Sequence, residues 1–150
     1  LASRLGLADI EILNPVGTDA KGRPYGLVRM GEVAEQPLAA FAAFVKRVLS
    51  CPGVRFSDAG KHVRKVAVGG GSCGSEIGDV IAAGCDTFVT ADLKYNHFEE
   101  AKYRGLNLID AGHFETENPV CDVLEGILRE AFPEIPVFRA RTHRDETQFL

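Results

Sequence analysis

"RKVAVGGGS", residues 64–72, is a short β-branched run that stops in three consecutive glycines. A strand that ends this way and is followed at once by "SEIGDVIAAG" (75–84) reads as strand, turn and short helix. Gly84 closes the helix. The unit then repeats. "DTFVTAD" (86–92) is a strand, "KYNHFEEAKYRG" (94–105) a helix closed by Gly105, and "LNLIDAG" (106–112) a strand. "ENPVCDVLEGILREAF" (117–132) is a helix stopped before Pro133, and "PVFRA" (136–140) a last strand. Strand and helix alternate about every twenty residues, which predicts crossover units, an α/β fold and a largely parallel sheet with helices on both faces. The strands carry little polar content, as expected when both faces of a sheet are covered.

Upstream the pattern is weaker. "LASRLGLADIE" (1–11) has apolar residues at 1, 5 and 7 and reads like the inside of a helix, so the start resembles an internal point of a longer protein. Turn signals follow at Asn14-Pro15, Gly17 and "KGRPYG" (21–26). "LVRMGEVAE" (27–35) is strand-like. "QPLAAFAAFVKRVLS" (36–50) is a helix, with Pro37 suited to its first position and Leu38, Phe41, Phe44, Val45, Val48 and Leu49 on one stripe. "VRFSD" (54–58) is a short strand. The division this suggests is a partial leading segment, 1–59, and an α/β lobe, 60–150.

With 150 residues, 45% hydrophobic and 25% charged, the chain is long enough to bury a core and ordinary enough to be globular. Its net charge is -4 and its longest basic run is "KHVRK" (61–65), which argues against a dedicated nucleic-acid surface. No stretch approaches the ~20 apolar residues of a membrane span. The four cysteines, Cys51, Cys73, Cys85 and Cys121, form no CxxC pair and read as reduced, buried thiols of a cytoplasmic protein.

In open sheets of this kind ligands bind beyond the carboxyl ends of the strands. Three such ends carry the unusual residues. In "GGGSCGSE" (69–76), Gly69, Gly70, Gly71, Ser72 and Gly74 let the backbone turn and a ligand approach; close strand–helix packing explains them equally. The segment lacks the Lys-Ser/Thr of a phosphate loop and does not match GxGxxG. In "TADLKYNHF" (90–98), Asp92 is either a helix cap or an acid–base group, and His97 either a solvated helix residue or a proton carrier. In "GHFETE" (112–117), His113 and Glu117 stand four apart, on one face of a helical turn. An imidazole nitrogen and a carboxylate oxygen placed so could meet one divalent ion, or Glu117 could simply favour a helix N-terminus. His62 and His143 lie in charged stretches and read as surface residues.

"VAVGGGSCGSEI", "GCDTFVTADLKYNHFEEA" and "GLNLIDAGHFETE", in this order and spacing, resemble the C-terminal half of the GTP cyclohydrolase 1 type 2 homologues, the Ngg-interacting-factor-three-like proteins. The likeness covers about residues 60–140 and loosens over 1–59. It implies one lobe of a duplicated two-lobe α/β fold, two divalent metals in a cleft between lobes, and a ring-shaped hexamer. His113 and Glu117 would be metal ligands; the others would come from a THHP-type segment and an acidic position upstream of this chain. The family often has a histidine where this sequence has Asn96, so His97 is turned by about 100° from that place. The metal would be Zn, Mn, Fe or Ni. Three functions follow as expectations: a metal-dependent hydrolase acting on a nucleotide-like substrate, a non-catalytic metal-binding scaffold, or a metal-free nucleotide-binding module built on the glycine turn.

Overall fold

The computed structural model describes residues 1–149. Its strands are β1 (Ala8–Leu13), β2 (Gly17–Thr18), β3 (Pro24–Tyr25), β4 (Val28–Gln36), β5 (Arg55–Ser57), β6 (Val63–Gly69), β7 (Thr87–Thr90) and β8 (Asn107–Asp110). Its helices are α1 (Leu38–Leu49), α2 (Ile77–Ala82), α3 (Tyr95–Tyr103), α4 (His113–Glu117) and α5 (Val120–Ala131). A 3-10 turn, Gly74–Glu76, leads into α2.

Six strands form one sheet in the order β1-β4-β6-β7-β8-β5, and β2 and β3 form a separate small hairpin. The crossover units of the sequence are present: β6 to β7 through α2, and β7 to β8 through α3, both parallel. The expectation of a largely parallel sheet is corrected. β1 with β4, β4 with β6, and β5 with β8 are all antiparallel. The reason lies in the connections. β1 and β4 are joined through the β2–β3 excursion as a hairpin, which reverses direction. Helix α1 then carries the chain to the opposite edge, where β5 runs against β8. Strands from both sides of position 59 therefore share one sheet.

Neighbouring strand residues point to opposite faces, and each face has its own core. Val66, Val68, Val89 and Ile109 join Phe41 and Val45 of α1 in one cluster. Ala67, Phe88 and Leu108 join Ile77 and Val80 of α2 and Ala101 of α3 in the other. Helices cover both faces, as the apolar strands imply.

Four local expectations change. Residues 1–7 form turns rather than helix. Pro37 sits at the N-cap of α1, with extended backbone, one place before the first helical residue. The helix expected over 117–132 is two helices, because Asn118-Pro119 interrupts it. "PVFRA" (136–140) forms no strand, since it does not reach the sheet.

Candidate metal centre

The parallel strands β6, β7 and β8 end side by side, and the loops leaving them bring His113, Asp92, Glu117 and Gly71 together. His113 opens α4. Its Nδ1 lies 2.6 Å from Asp92 Oδ2, and its Nε2 lies 3.3 Å from Glu117 Oε1. The helical i, i+4 spacing supplies the second contact; the loop after β7 supplies the first. Asp92 takes a left-handed backbone (φ 53°), a strained conformation that aspartate tolerates better than most residues and that often marks a working site. The Asp92 hydrogen bond lifts the His113 imidazole above its ordinary value against the opposing effect of burial, and Glu117 adds to the lift.

Two residues that sequence reasoning missed hold this arrangement. Asp110, at the end of β8, is 7% exposed. Its Oδ2 accepts the Leu93 amide at 3.0 Å and pairs with the Arg55 guanidinium, while Oδ1 accepts the Gly112 amide at 3.2 Å. It thus clamps the loop bearing Asp92 to the loop bearing His113. Thr116 Oγ1 accepts the Gly71 amide at 2.9 Å and donates to Gly112 O at 2.8 Å, tying the glycine turn to α4. A buried acid closing an apolar strand was the available signal for Asp110. Nothing in the pattern marked Thr116.

The glycines divide by role. A Cβ on Gly71 would stand 2.4 Å from Glu117 Oε1 and 3.0 Å from His113 Nε2, so only glycine leaves those two groups room to converge. A Cβ on Gly74 would meet the His97 ring at 2.6 Å, and one on Gly69 would meet Cys73 Sγ at 2.8 Å, which is packing. Gly70 faces the Thr116 carbonyl, and Ser72 is exposed. His97 stands apart from the His113 group: its Nδ1 accepts the Lys94 amide at 3.2 Å, closing the first turn of α3. Asp92 does not cap that helix. His62 is exposed and meets Glu35; His143 packs on Phe114 with the rings tilted and their centroids 5.0 Å apart, a contact its charged surroundings hid.

Beside His113 lies a cavity of about 260 Å³, lined among others by Arg55, Asp92, Asp110, Glu115, Asp145 and Phe149. Glu115 is 8% exposed, and burial raises its carboxyl above the ordinary value.

His113 Nε2 and Glu117 Oε1 suit one ion: two donors about 2.1 Å from a metal at a tetrahedral angle lie about 3.4 Å apart. Asp92 on Nδ1 fixes the tautomer that leaves Nε2 free to ligate. Among the described residues, no three His, Cys, Asp or Glu side chains converge as a complete cation site.

The chain is similar to several known proteins. It is 36% identical over 132 residues to a GTP cyclohydrolase 1 type 2 homolog of Nostoc, covering 86% of this chain and 49% of that protein. It is 40% identical over 129 residues to one of Streptomyces coelicolor, covering 82% and 45%. The chain therefore spans about half the length of these curated relatives. The crystal structure of Staphylococcus aureus protein SA1388 superposes with a TM-score of 0.87 at 26% identity, covering 99% of this chain and 63% of that one. A Bacillus cereus protein related to NIF3 gives 0.72 at 31% identity, covering 86% and 37%. The Duf34/NIF3 (NGG1p interacting factor 3) family model matches residues 1–146, and the chain belongs to that family.

Proposed function

We propose that His113 and Glu117 are ligands of a divalent metal centre, and that the complete protein is a metal-dependent hydrolase acting on a nucleotide-like substrate. The observation that carries this is the line Asp92–His113–Glu117, in which one imidazole nitrogen is held by a carboxylate and the other meets a second carboxylate at 3.3 Å beside a glycine that leaves the space open. Bound there, divalent ions would supply Lewis-acid polarisation and a water acidic enough to attack near neutral pH. The chain's own residues do the rest. Asp92 orients the His113 ring and holds its Nδ1 proton; Asp110 fixes both loops; Gly71 keeps the approach clear. Hydrolysis of a nucleotide-like substrate is suggested by the relatives' shared name, GTP cyclohydrolase 1 type 2 homolog. Asp92 is the acid–base candidate; His97, engaged in its helix turn, is the weaker one.

A second reading is a metal-binding scaffold whose homo-oligomeric ring is the function. Helix α5 favours it: Val120, Val123, Leu124 and Ile127 are each about half exposed on one stripe, a face suited to another subunit. The metal-free nucleotide module has less support, because the Gly71 and Cys73 amides of the glycine turn already donate to Thr116 and Thr90. Among the described residues no helix is long and apolar enough to cross a membrane, and the free thiols suit a cytoplasmic setting.

Zinc or manganese titration of the wild type, His113→Ala and Glu117→Gln, with folding checked by circular dichroism, tests the metal reading. Two donors hold an ion weakly, and each variant should weaken binding at least tenfold. Unchanged affinity in both would end the metal reading. Turnover of GTP or simple phosphoesters that requires added metal favours the hydrolase over the scaffold.

A further inference from the structure

Residues 143–149 run past the His113 group without being fastened to it. The chain is anchored just before them. Arg139 donates from Nη1 to Asp122 Oδ1 at 2.5 Å and from Nη2 to Asn118 Oδ1 at 2.6 Å. A turn at Arg141–Thr142 follows, and then an irregular segment in which only Asp145 is not exposed. Among the described residues, no hydrogen bond or ion pair joins residues 143–149 to the rest of the molecule. The one bond they make is internal, from the Thr147 amide to Asp145 Oδ1 at 2.9 Å. Two rings keep the segment in place. The His143 ring packs on Phe114, with the centroids 5.0 Å apart. The Phe149 ring lies over Gly53, 3.6 Å from where a Cβ would stand.

The segment walls three cavities. One of about 260 Å³ is lined by Asp92 and His113, a second of about 450 Å³ by His113 and Glu117, and a third of about 400 Å³ by Arg4 and Ser50. Phe114 and Asp145 line all three, so the segment passes over Phe114 and partitions a single cleft. Sites for small organic molecules commonly span about 300–1,000 Å³. The chamber holding Asp92 is below that range, and Glu117 opens into a different chamber. A nucleotide-like substrate therefore cannot reach both sides of His113 while the segment is down. Segments held by a few side-chain contacts, with no backbone bond to the body, open at the lowest cost, and such segments serve as lids. We propose that residues 143–149 are a strap over the metal centre that swings on the Arg141–Thr142 turn. Down, it encloses His113; raised, it joins the three cavities and admits substrate. This assigns a regulation to the site described above and rests on that reading for what is covered, but the strap's motion needs no metal.

Three variants of the full chain move the strap in opposite senses. Phe149→Ala and His143→Ala each remove one ring contact and raise it. Gly53→Ala holds it down, because the added methyl meets the Phe149 ring at ordinary contact distance and the Gly53 backbone is not left-handed. Nuclear magnetic resonance of the metal-free chain with a dissolved neutral nitroxide reads the cover directly. Relaxation enhancement at the Gly112, His113 and Phe114 amides should at least double in the two raised variants and fall in Gly53→Ala. The amides of β6, β7 and β8 should not change, which checks the fold. Zinc uptake and release, followed with a chelating dye, should both quicken several-fold in the raised variants and slow in Gly53→Ala, with affinity held within twofold. A merely structural defect would move affinity rather than both rates together. Equal enhancement in all four proteins, or zinc rates that ignore the three variants, overturns the proposal. The two readings fail separately: the expected nitroxide pattern with no zinc bound by any of the proteins removes the metal centre alone, and zinc affinity lost in His113→Ala with equal enhancement throughout removes the strap alone.

Discussion

Asp110 does more for the site than its one carboxylate suggests. It receives two loop amides and a guanidinium from within a nearly closed setting. Asp110→Ala would leave the Leu93 and Gly112 amides without acceptors and cost about 2–4 kcal/mol, read from urea unfolding. It should also separate Asp92 from His113, so the His113 imidazole pKa followed by nuclear magnetic resonance should fall back towards its ordinary value. The cysteines give a second test at this scale. Burial pushes the Cys51 thiol up to about 11, with Glu115 nearby adding to the effect, and its Sγ donates to Ala111 O at 3.1 Å. Burial also raises Cys73 and Cys85, whereas Cys121 is partly exposed. A thiol reagent at pH 8 should therefore label Cys121 first in the folded chain, and the other three only on unfolding. At this scale the sequence was partly legible. The His113–Glu117 pair stood out because helical spacing is local. Asp92 was visible as a polar residue at a strand end, but its bond to His113 joins two loops 21 positions apart, which no spacing rule reveals.

The elements were read best where connections were short. β6-α2-β7-α3-β8 follows the sequence pattern because each helix is packed directly against the strands it joins. The antiparallel edges were not legible, since direction is set by where α1 delivers the chain, and a strand of three residues such as β5 carries no mark of its partner. Helix α5 presents a different case. Its amphipathic pattern is plain, yet none of its residues is buried, and ion pairs help tether it: Asp122 accepts from Arg4 and from Arg139, each at 2.5 Å. The Arg4 hydrogen bond, with Arg139 beside it, holds the Asp122 carboxyl below its ordinary value. A carboxyl depressed in the folded state contributes stability above its unfolded value and loses that contribution as pH falls through the folded one. Acidification below about pH 4 should thus loosen α5 before the sheet, and Arg4→Ala should produce the same loosening at neutral pH. Amide exchange confined to residues 120–131 would show it; equal protection in wild type and Arg4→Ala would mean that the ion pairs do not anchor the helix.

At the scale of the whole molecule, the six-stranded sheet has a core on each face, and that arrangement fixes how it should unfold. The clusters are chemically separate, but they are built from the same three strands: Val66 and Val68 face α1 while Ala67 faces α2, Val89 opposes Phe88, and Ile109 opposes Leu108. Losing either helix layer would expose one side of every central strand, so neither face can melt while the other persists. Phe41 and Phe88 are each fully buried, one in each cluster. Phe41→Ala and Phe88→Ala should each cost about 3–5 kcal/mol. Both should shift a single cooperative transition, seen at the same denaturant concentration by circular dichroism and by amide exchange on the opposite face. The effects should add within about 0.5 kcal/mol, since the two rings share no partner. A biphasic curve in either variant would mean that the shared strands do not couple the faces. The loops carrying Asp92 and His113 would then owe their register to one core alone.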